Sequence, residues 1–312
     1  MLDTSAVEKV QVKANDQEVA FDGIRLRIAT HFLEETEFQE LPAGQSITVT
    51  IDVAQAHDLS SGGIYKVLAS GAFSFAEEGS TELVGSVAYE SNHLWVDVDG
   101  EAAAASHDTH HSHEAYPSHD AQHSHDARRS HSEKRSTIQN DCAGYKMGVS
   151  QSGLRNCADM ARRAQQAATW GSAEKLVEYF KSSSDHVRQT VSDVFGRVAA
   201  ECDTNNPGVS KLHCSDVMGA CRTNVLAYTS PTDALMVYCD LYFQVLPATT
   251  MACHEQDQAT TDIHEATHLY QIKGTLDYGG YGYDFVRSLP GEKNLNHADT
   301  YALYANAIWS GC

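Results

Sequence analysis

The 312-residue sequence predicts an α+β protein, β-rich in its first third and mainly helical, with one small β-hairpin or sheet, from residue 136 onward. Three observations predict it: period-2 alternation confined to residues 8–98, apolar residues every three or four positions in the later part, and a histidine-rich low-complexity stretch between them. A composition of 42% hydrophobic and 21% charged residues fits a globular chain of about two domains and excludes a fibre or a wholly disordered chain.

The elements follow in chain order. VEKVQVKA, IRLRIAT, SITVTIDVA, GAFSFAE and HLWVDVDG alternate apolar and polar residues between Gly, Ser and Asp clusters, which reads as strands with one buried face in a sandwich or a meander over residues 1–101. From 102 to 135 Ser-His and His-Asp pairs recur, with histidines at 107, 110, 111, 113, 119, 123, 125 and 131. This stretch is too polar to bury a core and is expected to be a disordered linker, either simply solvated or a loose metal-binding tether. It ends at Lys134-Arg135, a dibasic pair placed for a processing protease that would release residues 136–312. In the released part, residues 157–183 and then SSDHVRQTVSDVFGRVAAE carry helical spacing, the second with Ser and Asp at its start as a cap. NVLAYT and MVYCDLYFQVL, separated by SPTD, read as a hairpin; DQATTDIHEATHLYQI reads as a helix, residues 274–283 as a Gly/Tyr-rich loop, and HADTYALYANAIW as a closing helix.

Charge and cysteine narrow the function class. The net charge of −20 is unevenly spread, with 9 Lys+Arg against 23 Asp+Glu before residue 136 and 13 against 19 after it. Such a surface disfavours a nucleic-acid backbone and favours basic polypeptides. No run approaches the roughly 18 apolar residues of a membrane helix, and residues 1–25 lack a basic start followed by an apolar run. All eight cysteines lie after residue 136, an even count that implies disulfides and an oxidising, extracellular compartment, with 105 pairings open.

The string His264-Glu265-Ala266-Thr267-His268 places two imidazoles one helical turn apart, where they can share one tetrahedral zinc, with a carboxylate beside them. Zinc needs a third protein ligand; Asp277, Asp284, Glu292, His297 and Asp299 are the downstream candidates. The pattern H-E-x-x-H-x-x-G-x-x-H fails, because Gln271 and Gly274 stand where its glycine and third histidine belong. Nor does a glutamate stand in a convincing following helix, so an aspartate becomes the live option, and Asp277 is the nearest, just past a glycine at which the chain can turn back.

With CDLYFQVLPA, CHEQDQATTDIHEATH, GTLDYGGYGY and NHADTYALYANAIWSGC in this order, the chain from about Cys142 to Cys312 resembles the deuterolysins, or aspzincins, fungal secreted zinc endopeptidases. The resemblance implies a zincin-like catalytic domain at 136–312 and a β-rich pro-region ahead of it that keeps the enzyme a zymogen. It implies one catalytic zinc on His264, His268 and an aspartate, Glu265 as general base, and Tyr242 as a donor to the oxyanion. Two aspartates lie near the metal in this family. Asp277 is expected as ligand and Asp299 as the carboxylate that orients a zinc-binding imidazole; the reverse assignment is the alternative, because Asn296 to Tyr301 keeps the family's spacing while Asp277 arrives one residue early. His297 is expected to be exposed or hydrogen-bonded beside the site. The family's disulfide framework would pair Cys142 with Cys214, Cys221 with Cys239 and Cys253 with Cys312, leaving Cys157 and Cys202, one on each predicted helix, for an added bridge. Substrates are expected to be proteins and peptides, basic ones among them, and the enzyme a secreted monomer. The rival reading is a non-catalytic secreted zinc-binding protein of the same fold, which would have no need of Glu265 and Tyr242 together with the ligands.

Overall fold

The structure, a computed structural model, describes residues 6–111, 138–203 and 208–312. Alternation in the first third becomes strands β1 (Gln11–Ala14), β2 (Gln17–Glu18), β3 (Arg25–Ile28), β4 (Gly63–Leu68), β5 (Ser70–Ala76), β6 (Leu83–Glu90) and β7 (Leu94–Val98). β1, β2, β4 and β7 form an antiparallel sheet in the order β2-β1-β4-β7, and β5 pairs with β6 as a separate ribbon. Neither a sandwich nor a single meander results, because β3 leaves this unit and joins the sheet of the later part.

Residues 102–111, expected to be unstructured, lie instead in helix α1 (Gly100–His111). Asp99 Oδ1 accepts from the amides of Glu101 and Ala102 at 2.9 and 3.2 Å, and four consecutive alanines supply the strongest helix formers. Ala103 is buried against Val12, Leu59 and Tyr65. Lys134, Arg135 and the linker from 112 onward lie outside the described residues.

The later part contains α2 (Tyr145–Trp170), α3 (Ala173–Phe180), α4 (Asp185–Glu201), β8 (Lys211–His213), β9 (Val225–Ser230), β10 (Leu235–Tyr238), α5 (Asp240–Val245), α6 (Gln258–His268), α7 (Tyr283–Ser288), α8 (Gly291–Asn294) and α9 (Ala298–Ser310). The first long helical pattern breaks in two at Gly171, after which the Ser172 side chain caps α3 by accepting from Glu174 N; Ser184 does the same for α4 from Val187 N. The second hairpin run stops at Tyr238, and the segment carrying Tyr242 is helical rather than extended. Tyr242 N turns back to Cys239 O at 3.1 Å, with Asp240 in the favourable first turn of α5.

Helices α2, α4, α6 and α9 enclose the main core, where Phe180 and Phe195 pack against Tyr301 and Tyr304 at centroid distances of 5.3 to 5.8 Å. Each such fully buried ring stabilises the fold by about 1.5–3 kcal/mol. On the other side of this core lies the sheet β3-β9-β10-β8, in which β10 is antiparallel to β9 and parallel to β8. Cys142–Cys214, Cys157–Cys202, Cys221–Cys239 and Cys253–Cys312 are bonded, the second tying α2 to the end of α4 and the last tying the segment before α6 to the chain end.

Candidate metal centre and active site

Helix α6 is buried along its whole length, so its polar residues need internal partners. Its start is fixed by a reciprocal cap: Asp257 Oδ1 accepts from Thr260 N at 2.7 Å, and Asp257 N donates to Thr260 Oγ1 at 3.0 Å. One turn apart near its end, His264 and His268 bring their Nε2 atoms to 3.1 Å of each other. Asp277 Oδ1 lies 3.3 Å from His264 Nε2 and 3.4 Å from His268 Nε2. The third group arrives because the chain reverses at Gly274, whose φ of +67° favours glycine, and because Thr275 N donates to Thr267 O and Leu276 N to Asn296 O. The ligand atoms of His264, His268 and Asp277 all lie within 4.8 Å of one another, the one such grouping among the described residues.

The other ring nitrogens are held from behind. His268 Nδ1 is 2.8 Å from the carbonyl of Thr275, an acceptor, so that Nδ1 carries the proton, whereas His264 Nδ1 lies 3.3 Å from Asp299 Oδ1 and 3.0 Å from the Arg27 guanidinium. His268 Nε2 therefore presents a lone pair, and His264 Nε2 and Asp277 Oδ1 converge on the same point. Two imidazoles and one carboxylate converging in this way form a ligand set that suits zinc. Asp299, in the first turn of α9, is held in turn by Gly282 N, which donates to its Oδ2 at 2.6 Å.

Glu265 sits beside this point. Thr229 of β9 donates to its Oε2 at 2.6 Å, and Oε1 has no hydrogen-bond partner among the described residues. Burial raises the carboxyl well above its usual range. His297 is fully buried, not exposed: Nδ1 meets Thr300 Oγ1 at 3.0 Å, Nε2 meets the carbonyl of Gly280 at 3.2 Å, and burial lowers the imidazole to about 4. It braces the loop that carries Asp277 rather than joining the cluster.

Tyr242 is elsewhere. Its ring stacks on Tyr238 at 4.0 Å and its hydroxyl donates to Asp262 Oδ1 at 3.0 Å. Asp262 precedes His264 by two residues, about 200° around the helix, so Tyr242 lies on the face of α6 turned away from the histidine pair and faces the core against α2. The tyrosine beside the cluster is Tyr281, whose ring centroid is 6.1 Å from that of His264 and whose hydroxyl donates to Leu26 O at 2.7 Å. Its signal in the sequence was its place in the same Gly/Tyr-rich loop, four residues past Asp277.

Arg27 carried no such signal. From β3 its Nη1 reaches Asp299 Oδ1 in a short ion pair and lies 3.0 Å from His264 Nδ1. Burial lowers the guanidinium to about 10, with Glu265 and Asp277 opposing, so it stays charged at neutral pH.

The deuterolysin metalloprotease (M35) family matches residues 1–312. The chain belongs to that family. A neutral protease 2 homolog of Phaeosphaeria nodorum is 45% identical over 314 residues, covering 100% of this chain and 83% of that protein. Neutral protease 2 homologs of Colletotrichum graminicola and Pyricularia oryzae are 42% and 41% identical over 311 and 312 residues, with the same coverage. Among solved structures, the zinc peptidase from Grifola frondosa aligns with a TM-score of 0.45 at 17% identity, over 53% of this chain and 97% of that one. As a deuterolysin-family member the chain is a zinc metalloendopeptidase acting on proteins or peptides. Its disulfides fit an extracellular protein, and no described helix is long and apolar enough to cross a membrane.

Proposed function

We propose that the chain is a secreted monomeric endopeptidase made as a zymogen, with one zinc on His264, His268 and Asp277, and with residues 1–135 acting as the pro-region removed at Lys134-Arg135 by a dibasic-specific protease. The observation that carries the metal reading is the convergence of two Nε2 atoms and one carboxylate oxygen on a single point.

Zinc bound there would polarise the scissile carbonyl and acidify a water. Glu265 takes the attacking water's proton on Oε1, the oxygen that Thr229 leaves free, and passes it to the leaving amine; a carboxyl raised by burial is a stronger base than an exposed one. The Thr275 carbonyl holds the Nδ1 proton of His268, and Asp299, 3.3 Å from Nδ1 of His264, can orient that ring in the same way. Tyr281 takes the role first expected of Tyr242: its phenol is beside the cluster and can donate to a developing oxyanion once Leu26 O leaves it. A preference for basic polypeptides is supported by the acidic balance of residues 136–312, 13 Lys+Arg against 19 Asp+Glu.

The test is casein and protamine-like substrate hydrolysis by chain cut at Lys134-Arg135, with chelator and zinc add-back, beside Glu265→Ala. Activity that needs zinc and falls by about 10³-fold or more without Glu265 is expected. A folded, zinc-loaded but inert wild type would favour the non-catalytic zinc-binding reading instead.

A further inference from the structure

The N-terminal unit does not merely sit beside the later part; one of its strands completes the later part's sheet. β3 pairs antiparallel with β9, with Arg25 opposite Thr229, Leu26 opposite Tyr228 and Arg27 opposite Ala227. Without β3, β9 would be an edge strand, and β9 carries the Thr229 that holds Glu265. An open edge beside a peptidase site is a surface for an extended polypeptide, which would add to it through backbone hydrogen bonds.

The side chains of β3 alternate to match both faces. Ile24 and Leu26 are buried against Val225, Tyr228 and Val237. Arg27 turns the other way, onto Asp299 and His264. The Leu26 carbonyl takes the hydrogen bond of Tyr281. On either side of the strand the same segment is pinned by bonds to the later part: Tyr270 Oη donates to Phe21 O at 2.7 Å, Ala29 N to Asn224 O at 2.8 Å, and Gln256 Nε2 to Ile28 O at 2.8 Å. Arg25, by contrast, is paired within the N-terminal unit, to Glu8 at 2.5 Å.

We infer that residues 21–30 are a strap that fills the β9 edge in the uncut chain as an extended polypeptide would, and that Arg27 is its lock. The guanidinium shares the carboxylate that orients His264, while the strand backbone covers β9 and ties up Tyr281. Cutting the linker leaves the strap attached only by non-covalent contacts, these and the packing of β5 on Tyr278 and Phe285, so it can be lost and the edge opened. This inference rests on the zymogen reading above and adds the segment and the residue responsible for it. Arg27 acts by positioning and does not touch the reacting atoms.

The test uses the full uncut chain as wild type, Arg27→Ala, Arg27→Lys and Arg25→Ala. Amide hydrogen exchange in β3 and in the β9 positions facing it is read on chelator-treated protein, and casein hydrolysis on zinc-loaded protein. Arg27→Ala is expected to speed exchange at these amides by about tenfold or more and to release peptidase activity before any cut, because it leaves the strap without its buried ion pair. Arg27→Lys, which keeps the charge and serves if the alanine variant does not fold, should fall between Arg27→Ala and wild type; Arg25→Ala should stay latent. A latent wild type whose Arg27 variants keep wild-type exchange and latency overturns the strap while leaving the zymogen reading intact. An uncut wild type as active as the cut chain removes both.

Discussion

At the scale of single residues, the grouping of His264, His268 and Asp277 was legible in helical spacing and a glycine turn, which are local signals, whereas the roles expected of Glu265 and Asp299 came from the family resemblance. Tyr242 was not placed correctly. Its segment reads as a strand from its aromatic run, yet the residue lies one helix face away, bound to Asp262. We expect Tyr281→Phe to lower kcat by about 10-fold to 10³-fold with KM little changed. Tyr242→Phe should leave kcat near wild type and instead lower stability by about 1–3 kcal/mol, because Asp262 loses a buried donor. Steady-state kinetics on cut protein and urea unfolding of the same two variants check this; a kcat loss in Tyr242→Phe alone would reverse the assignment. Arg27 was illegible for a physical reason: its partner Asp299 is 272 residues away, and no local pattern encodes so distant a contact.

At the scale of elements, strands and helices with a clear period were read well and their interruptions less so. Gly171 splits what reads as one helix, and the alanines of 102–105 start a helix inside what reads as linker. Histidine-rich composition masked a strong local propensity there. The packing of α2 on α6 is likewise silent in sequence, and it depends on one glycine: a Cβ on Gly153 would lie 2.5 Å from the Tyr242 hydroxyl and 2.9 Å from Asp262 Oδ2. Gly153→Ala therefore gains helix propensity but must push α2 away from α5 and α6. A net loss of about 1–3 kcal/mol is expected, measured as a fall in the urea midpoint. A gain of stability would show that the interface has slack.

For the whole molecule, the α+β division and the four disulfides match the reading of the sequence, and the pairing of β3 with β9 joins the two parts in a way no local pattern announces. β3 crosses from one part to the other because its two faces suit a different sheet from that of its neighbours, apolar Ile24 and Leu26 on one side and Arg27 on the other. The account as a whole depends on the buried convergence of His264, His268 and Asp277 being a zinc site, with Asp299 acting only on an imidazole. Zinc content per chain, measured on full-length wild type beside Asp277→Ala and Asp299→Ala, tests this most directly, since the histidine-rich segment is common to all three. Asp277→Ala is expected to hold about one zinc fewer than wild type, and Asp299→Ala to keep the ion with affinity weakened about 10-fold to 100-fold. Asp277→Ala with wild-type zinc, beside Asp299→Ala without it, would contradict this assignment.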